Sequence, residues 1–170
     1  PPGPAPTPGP VPTPVPLPPA TGPYLPAYDD SSWEVIDAPH DFIIGSTYDQ
    51  SDPASGSSYL PRFDGIYRKH FNLPADWKGS SVWLKFDGVF HTTKIYLNGQ
   101  GFGSHCHSCG YTSFTLRLDN QTSIKFGDGK ANENVIAMFV DGTKGTGWWY
   151  EGAGLYRHVH LIKADHTHID

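Results

Sequence analysis

The chain has 170 residues, with 17 acidic against 12 basic side chains and a formal net charge of −5. That balance offers no basic stripe to a nucleic-acid backbone, and no apolar run is long enough for a signal peptide or a membrane helix, so neither nucleic acid nor membrane is expected as a partner. Of the 17 prolines, 13 fall in residues 1–26, which divides the chain into two polymers of different kind.

Residues 1–26 alternate proline with small residues, so backbone donors are too sparse for helix or sheet. Polyproline II is the expected conformation, and Pro1 to Pro19 extended in that form would reach roughly 60 Å. Most such segments are stiff linkers or stalks. Pro4, Pro6, Pro10, Pro12 and Pro16 are the arm residues expected to meet a partner, because proline-rich helices dock on aromatic-lined grooves. Pro6-Thr7-Pro8 and Pro12-Thr13-Pro14 resemble hydroxyproline-rich extracellular glycoproteins, which makes Thr7, Pro8, Thr13 and Pro14 candidates for attached sugar.

From residue 27 to 165 the pattern is that of a folded domain. Short alternating stretches recur at Gly65–Leu73, Ser81–Asp87, Thr93–Leu97, Thr112–Leu118, Val135–Asp141 and Leu155–Leu161, bounded by Gly, Asp, Asn or Pro, and read as strands. Asn98-Gly99 is a strong hairpin signal, and Gly127-Asp128-Gly129 marks another tight connection. Strands at this spacing predict an all-β sandwich or barrel with one core. Residues 166–170 read as the start of a linker to a further domain.

Several side chains stand out. Cys106 and Cys109 are the only cysteines and are read first as a short-loop disulfide, worth ~2 kcal/mol; zinc held with His105 or His107 is the alternative. No cofactor or resident metal is expected. Asn120-Gln121-Thr122 is an N-glycosylation sequon, and with the Pro/Thr arm it points to a secreted chain. His158 and His160 share one strand face and are read as hydrogen-bonded imidazoles rather than ligands. Trp148, Trp149 and Tyr150 precede Glu151 directly. Neighbours on an extended chain face opposite sides, so the three rings cannot all enter one core. Aromatic faces beside a carboxylate suit a pyranose ring; the structural alternative is that the rings close the end of the sandwich.

The motifs, taken in order, resemble the N-terminal sugar-binding domain of glycoside hydrolase family 2, the β-galactosidase and β-glucuronidase family. They are Trp33–Phe42 (WEVIDAPHDF), Tyr67–Trp77 (YRKHFNLPADW), Val82–Gly99 (VWLKFDGVFHTTKIYLNG), Gly110–Phe114 (GYTSF), Asn132–Asp141 (NENVIAMFVD) and Gly147–Leu161 (GWWYEGAGLYRHVHL). The resemblance implies a jelly-roll, galactose-binding-domain-like sandwich whose Trp148, Trp149, Tyr150, Glu151 and Asp41 contact carbohydrate. For Asp41 a structural role, capping the turn after it, competes with sugar binding, and His40 is expected to tie two loops together. Arg157 is expected to pair with an acid across the sandwich. Cys106 and Cys109 fall in an insertion relative to the family pattern.

Retaining glycosidases need two carboxylates about 5–5.5 Å apart, and in this family the resemblance places them on a barrel that follows the sandwich. Glu34, Glu133 and Glu151 fall in three unrelated motifs, so no turnover is expected from the chain alone. Two functions follow. One is a non-catalytic, β-galactoside-facing domain of a secreted glycosidase, partnered by the following glycosidase domains. The other is a subunit of an extracellular glycoprotein fibre, in which the glycosylated arm of one copy lies on the sandwich of the next.

Overall fold

The computed structural model describes residues 20–51, 59–105, 110–144, 151–165 and 167, and the backbone alone at 103–105. Among the described residues seven strands follow one another: β1 (Gly65–Phe71), β2 (Ser81–Phe86), β3 (Thr92–Leu97), β4 (Gln100–His105), β5 (Phe114–Arg117), β6 (Asn134–Asp141) and β7 (Val159–Ala164). They pair into two antiparallel sheets, ordered β1-β6-β3-β4 and β5-β2-β7. The protein is the all-β sandwich that its alternation predicts. The polyproline arm, residues 1–19, lies outside the described residues.

The period of two decides which side chains meet between the sheets. Val82, Leu84 and Phe86 of β2 face Ile95 and Leu97 of β3 and Met138 and Val140 of β6, with Leu73, Leu118 and Phe114 closing the layer. Phe86 stacks on Phe114 with ring centroids 4.8 Å apart. On the outer face of the four-stranded sheet, Tyr96, Val135 and Ala137 are buried as well. The chain before the sandwich covers them. Gly22–Tyr24 forms a 3-10 turn, and Tyr24 stacks on Tyr96 at 4.6 Å. Packing therefore reaches back into the stretch that composition alone assigns to the arm.

Two strands depart from expectation. β4 is Gly-rich (QGFGSH) and carries no alternation, yet it pairs with β3 from Leu97↔Gln100 onward. The turn imposes it: Asn98 and Gly99 have φ of 51° and 79°, the two-residue hairpin geometry that fixes the returning register. The last strand begins at Val159 rather than Leu155. Tyr156 and Arg157 turn instead to carbonyls, with Tyr156 Oη donating to Gly110 O at 2.8 Å and Arg157 Nη1 to Asp87 O and Tyr111 O. Arg157 thus binds backbone where an acidic partner was expected.

The register sorts the connections. β2 runs into β3 through Asp87–His91, β4 into β5 through residues 106–113, and β6 into β7 through residues 142–158, all at the end where β1 begins. The opposite end carries the Asn98-Gly99 hairpin and the turn before β6. There Asn134, fully buried, exchanges hydrogen bonds with Lys125 N and O and accepts one from Asn98 Nδ2.

Candidate functional site

Three segments are laced together at the loop end. His40 N donates to Leu155 O at 2.8 Å and Phe42 N to Ala153 O at 3.0 Å, while Phe90 and Gly154 exchange both backbone bonds at 3.0 and 2.7 Å. A cis peptide joins Ala38 to Pro39 and another joins Phe90 to His91.

Asp41 is the centre of this lacing. Its Oδ1 accepts from Ile43 N at 2.8 Å, Ile44 N at 3.0 Å and Ala153 N at 3.2 Å. The first two cap the turn that follows, as Asp does when its short side chain reaches the backbone two residues on. The third reaches 112 residues along the chain and fixes the Gly152-Ala153-Gly154 loop. That loop needs glycine for reasons of space. A Cβ on residue 152 would lie 1.6 Å from Asp41 Oδ2, and one on residue 154 would lie 2.5 Å from Tyr67 Oη and 2.6 Å from His40 O. Tyr67 completes the brace from β1: its hydroxyl lies 2.9 Å from His40 Nδ1 and accepts from Leu155 N at 3.4 Å. Burial pushes the Tyr67 phenol up to about 12. His40 thus ties two loops, as the sequence predicts.

The brace presents Glu151, half-buried, at the loop end directly before Gly152. The same end of the sandwich carries side chains that sequence reasoning did not single out. Tyr111 is 66% exposed and meets Tyr156 edge-on at 6.5 Å. His91 is buried with Nδ1 2.9 Å from the Thr92 hydroxyl. Asp64 and Asp141 form a neighbouring acid pair. Burial, then the Asp141 charge, raises the Asp64 pKa. Burial also works against the charge of Asp141, but hydrogen bonds from the Thr143 hydroxyl and amide outweigh it and lower its pKa. The only sequence signal for this pair is that one acid precedes β1 and the other ends β6, ends that the antiparallel register brings together.

Of the residues read as carbohydrate contacts, Asp41 and Glu151 are brought to one end of the sandwich, and Trp148, Trp149 and Tyr150 lie outside the described residues. So do Cys106 and Cys109. Asn120 is exposed at the opposite end, just past β5. His158 and His160 are neighbours, with ring centroids 6.0 Å apart, and His160 Nε2 lies 2.9 Å from Asp87 Oδ2. Among the described residues, no cluster of three or more His, Cys, Asp or Glu side chains is arranged to hold a metal ion, and no helix is long and apolar enough to cross a membrane.

A two-sheet jelly roll with its long connections gathered at one end, and with a Pro-His-Asp segment braced against Gly-Ala-Gly, matches one domain of a glycoside hydrolase family 2 enzyme. The relatives bear this out. A β-galactosidase of Bacteroides ovatus is 33% identical over 146 residues, covering 85% of this chain and 16% of the relative. A β-glucuronidase of Formosa agariphila is 31% identical over 157 residues, covering 84% and 15%. Among solved structures, a family 2 member from Bacteroides cellulosilyticus superposes with a TM-score of 0.71 at 31% identity, covering 84% of this chain and 18% of that one. The chain spans about a sixth of the length of the curated relatives it matches. No protein-family model matches it.

Proposed function

We propose that this chain is a non-catalytic, carbohydrate-facing sandwich domain of a secreted β-galactosidase-type glycosidase, working beside the domains that carry the catalytic carboxylates. The observation that carries the reading is the backbone brace at the loop end. Asp41 and Tyr67 hold Gly152-Ala153-Gly154 in one conformation, and the chain enters that fixed point through Trp148-Trp149-Tyr150-Glu151. A fixed backbone directly after Glu151 lowers the ordering cost of presenting that acceptor carboxylate to a sugar. Glu133 sits apart from Glu151, beside His70 at the opposite end of the sandwich, and Glu34 lies exposed in the chain before β1. Asn120 is exposed at the end opposite Glu151, so a glycan there, in a secreted chain, would leave the loop end clear.

The test is ligand-observed NMR with a β-galactoside and a β-glucuronide. The expected result is saturable, millimolar binding, near about −4 kcal/mol, weakened by Trp148→Ala and by Glu151→Gln. No saturable binding to either sugar, or binding that both variants leave unchanged, would refute the reading. The fibre alternative draws on a separate observation, the fixed root of the arm on the outer face of the sheet. It requires head-to-tail association that disappears when residues 1–19 are removed, and light scattering on both forms decides it.

A further inference from the structure

Arg68 and His70 lie two apart on β1, so both side chains leave the same, outer face of the four-stranded sheet. Arg68 is 1% exposed and gathers the chain before the sandwich onto that face. Its Nε donates to Asp30 Oδ2 at 2.7 Å, Nη1 donates to Pro23 O and to Leu25 O, and Nη2 donates to Tyr28 O at 3.4 Å. These contacts bind Pro23 to Asp30, the root of the proline-rich arm.

His70 stands between two carboxylates. Its Nε2 lies 2.9 Å from Asp30 Oδ2 and its Nδ1 2.9 Å from Glu133 Oε2. An ionised carboxylate only accepts hydrogen bonds, so satisfying both contacts requires both ring nitrogens to carry protons, and that species is the imidazolium. Both carboxylates stay ionised because each has a second cation. Arg68 holds Asp30, whose carboxyl falls to about 2, first through the Arg68 hydrogen bond and then through His70, against partial burial. Lys130 Nζ lies 2.9 Å from Glu133 Oε2, and its hydrogen bond, followed by that of His70, lowers the Glu133 pKa. Asp30 and Glu133 bond the ring, and Arg68 and Lys130 bond those two carboxylates in turn. The β6 residue registered with His70 is Val135, flanked by Asn134 and Ile136, and brings no charge.

We propose that His70 is a pH-sensitive clasp on the root of the proline-rich arm. As imidazolium it joins Asp30 of the root to the Lys130–Glu133 turn. On losing a proton it keeps one of these bonds and turns a lone pair toward the other carboxylate, so the root loosens from the sandwich. The sign follows from the partners. The hydrogen bond to Glu133, then that to Asp30, raises the His70 pKa above its ordinary 6.5 against partial burial. The clasp is therefore fully made below 6.5 and is lost as pH rises through the folded-state value. It sets how firmly Pro23–Asp30 is held to the sheet, whichever function the loop end serves.

Two measurements on the 170-residue chain test this. Imidazole NMR should show His70 titrating above 6.5, with no mutation required. Amide hydrogen exchange, corrected for its intrinsic pH dependence and referenced to β3, should show protection at Tyr24–Trp33 falling about tenfold across that titration, the scale of one charged hydrogen bond. In His70→Gln, which carries no titrating proton, the change should vanish. A His70 midpoint at or below 6.5, root protection that is flat with pH, or the same pH dependence in His70→Gln would overturn the clasp. If the variant does not fold, the two wild-type readings decide.

Discussion

Gly152→Ala is the most discriminating single change that the loop end offers. The new Cβ would sit 1.6 Å from Asp41 Oδ2 and 2.5 Å from its Cγ, so the carboxylate must swing away from Ile43, Ile44 and Ala153. Each hydrogen bond to a charged acceptor contributes about 1.5–3 kcal/mol. Losing two of three, with water replacing part of the loss at a loop end, costs about 3 kcal/mol and lowers Tm by roughly 6–12 °C for a domain of this size. Gly152 does not have a left-handed φ, so alanine carries no backbone penalty there and the whole cost runs through Asp41. A double-mutant cycle isolates that coupling. Asp41→Ala should cost a similar amount alone, whereas Gly152→Ala in the Asp41→Ala background should be within about 1 kcal/mol of neutral and can even stabilise by restricting the unfolded chain. Urea denaturation of the four proteins reads the coupling directly. Additive costs would refute the claim that Asp41 is what residue 152 must avoid.

Two further outcomes follow from the packing around Tyr67 and Asn98. Tyr67 should titrate near 12 against an ordinary 10.0, chiefly because of its burial; folded stability should fall as pH rises from 10 toward 12, and a late phenolate absorbance step should vanish in Tyr67→Phe. Asn98 combines a φ of 51° with side-chain hydrogen bonds to Ser123 O, Asn134 Oδ1 and Val135 N; Asn98→Ala should cost about 2–4 kcal/mol and Asn98→Gly about 1 kcal/mol less, since glycine recovers the backbone term but not the hydrogen bonds. Equal losses in the two Asn98 variants by denaturant titration would mean that backbone conformation contributes nothing at that turn.

The strands of the core were legible because each writes its burial as alternation. Val82, Leu84 and Phe86, or Met138 and Val140, announce an inner face whatever the partner strand. β4 was not legible, because its glycines bury little and its position is inherited from the turn before it. The start of β7 was misplaced for a related reason. Leu155, Arg157 and Val159 alternate with polar or amphipathic neighbours, but Leu155 and Arg157 serve loop closure, and periodicity does not distinguish a side chain bound to a carbonyl from one facing water. The role of Asp41 was half visible. Its capping of the next turn is local chemistry, but its bond to Ala153 spans 112 residues, and no spacing rule reaches that far.

The uneven distribution of connections is what allows one scaffold to carry a site. At the end bearing Asn98-Gly99, buried amides and a two-residue turn knit β3 to β6 through Asn134, leaving little freedom to vary without unfolding the sheet. At the other end the connections are long, and among the described residues their ties include Asp41 on Ala153, Tyr67 on His40 and Leu155, Phe90 on Gly154, and Tyr156 and Arg157 on the carbonyls of Gly110, Asp87 and Tyr111. Residues between those points can change without disturbing the brace. On the proposed function, sugar preference lies in the side chains hung from the brace, Glu151 among them, while the brace itself belongs to the fold. Swapping those side chains while keeping Asp41, Tyr67, Gly152 and Gly154 should therefore alter ligand choice at nearly constant stability.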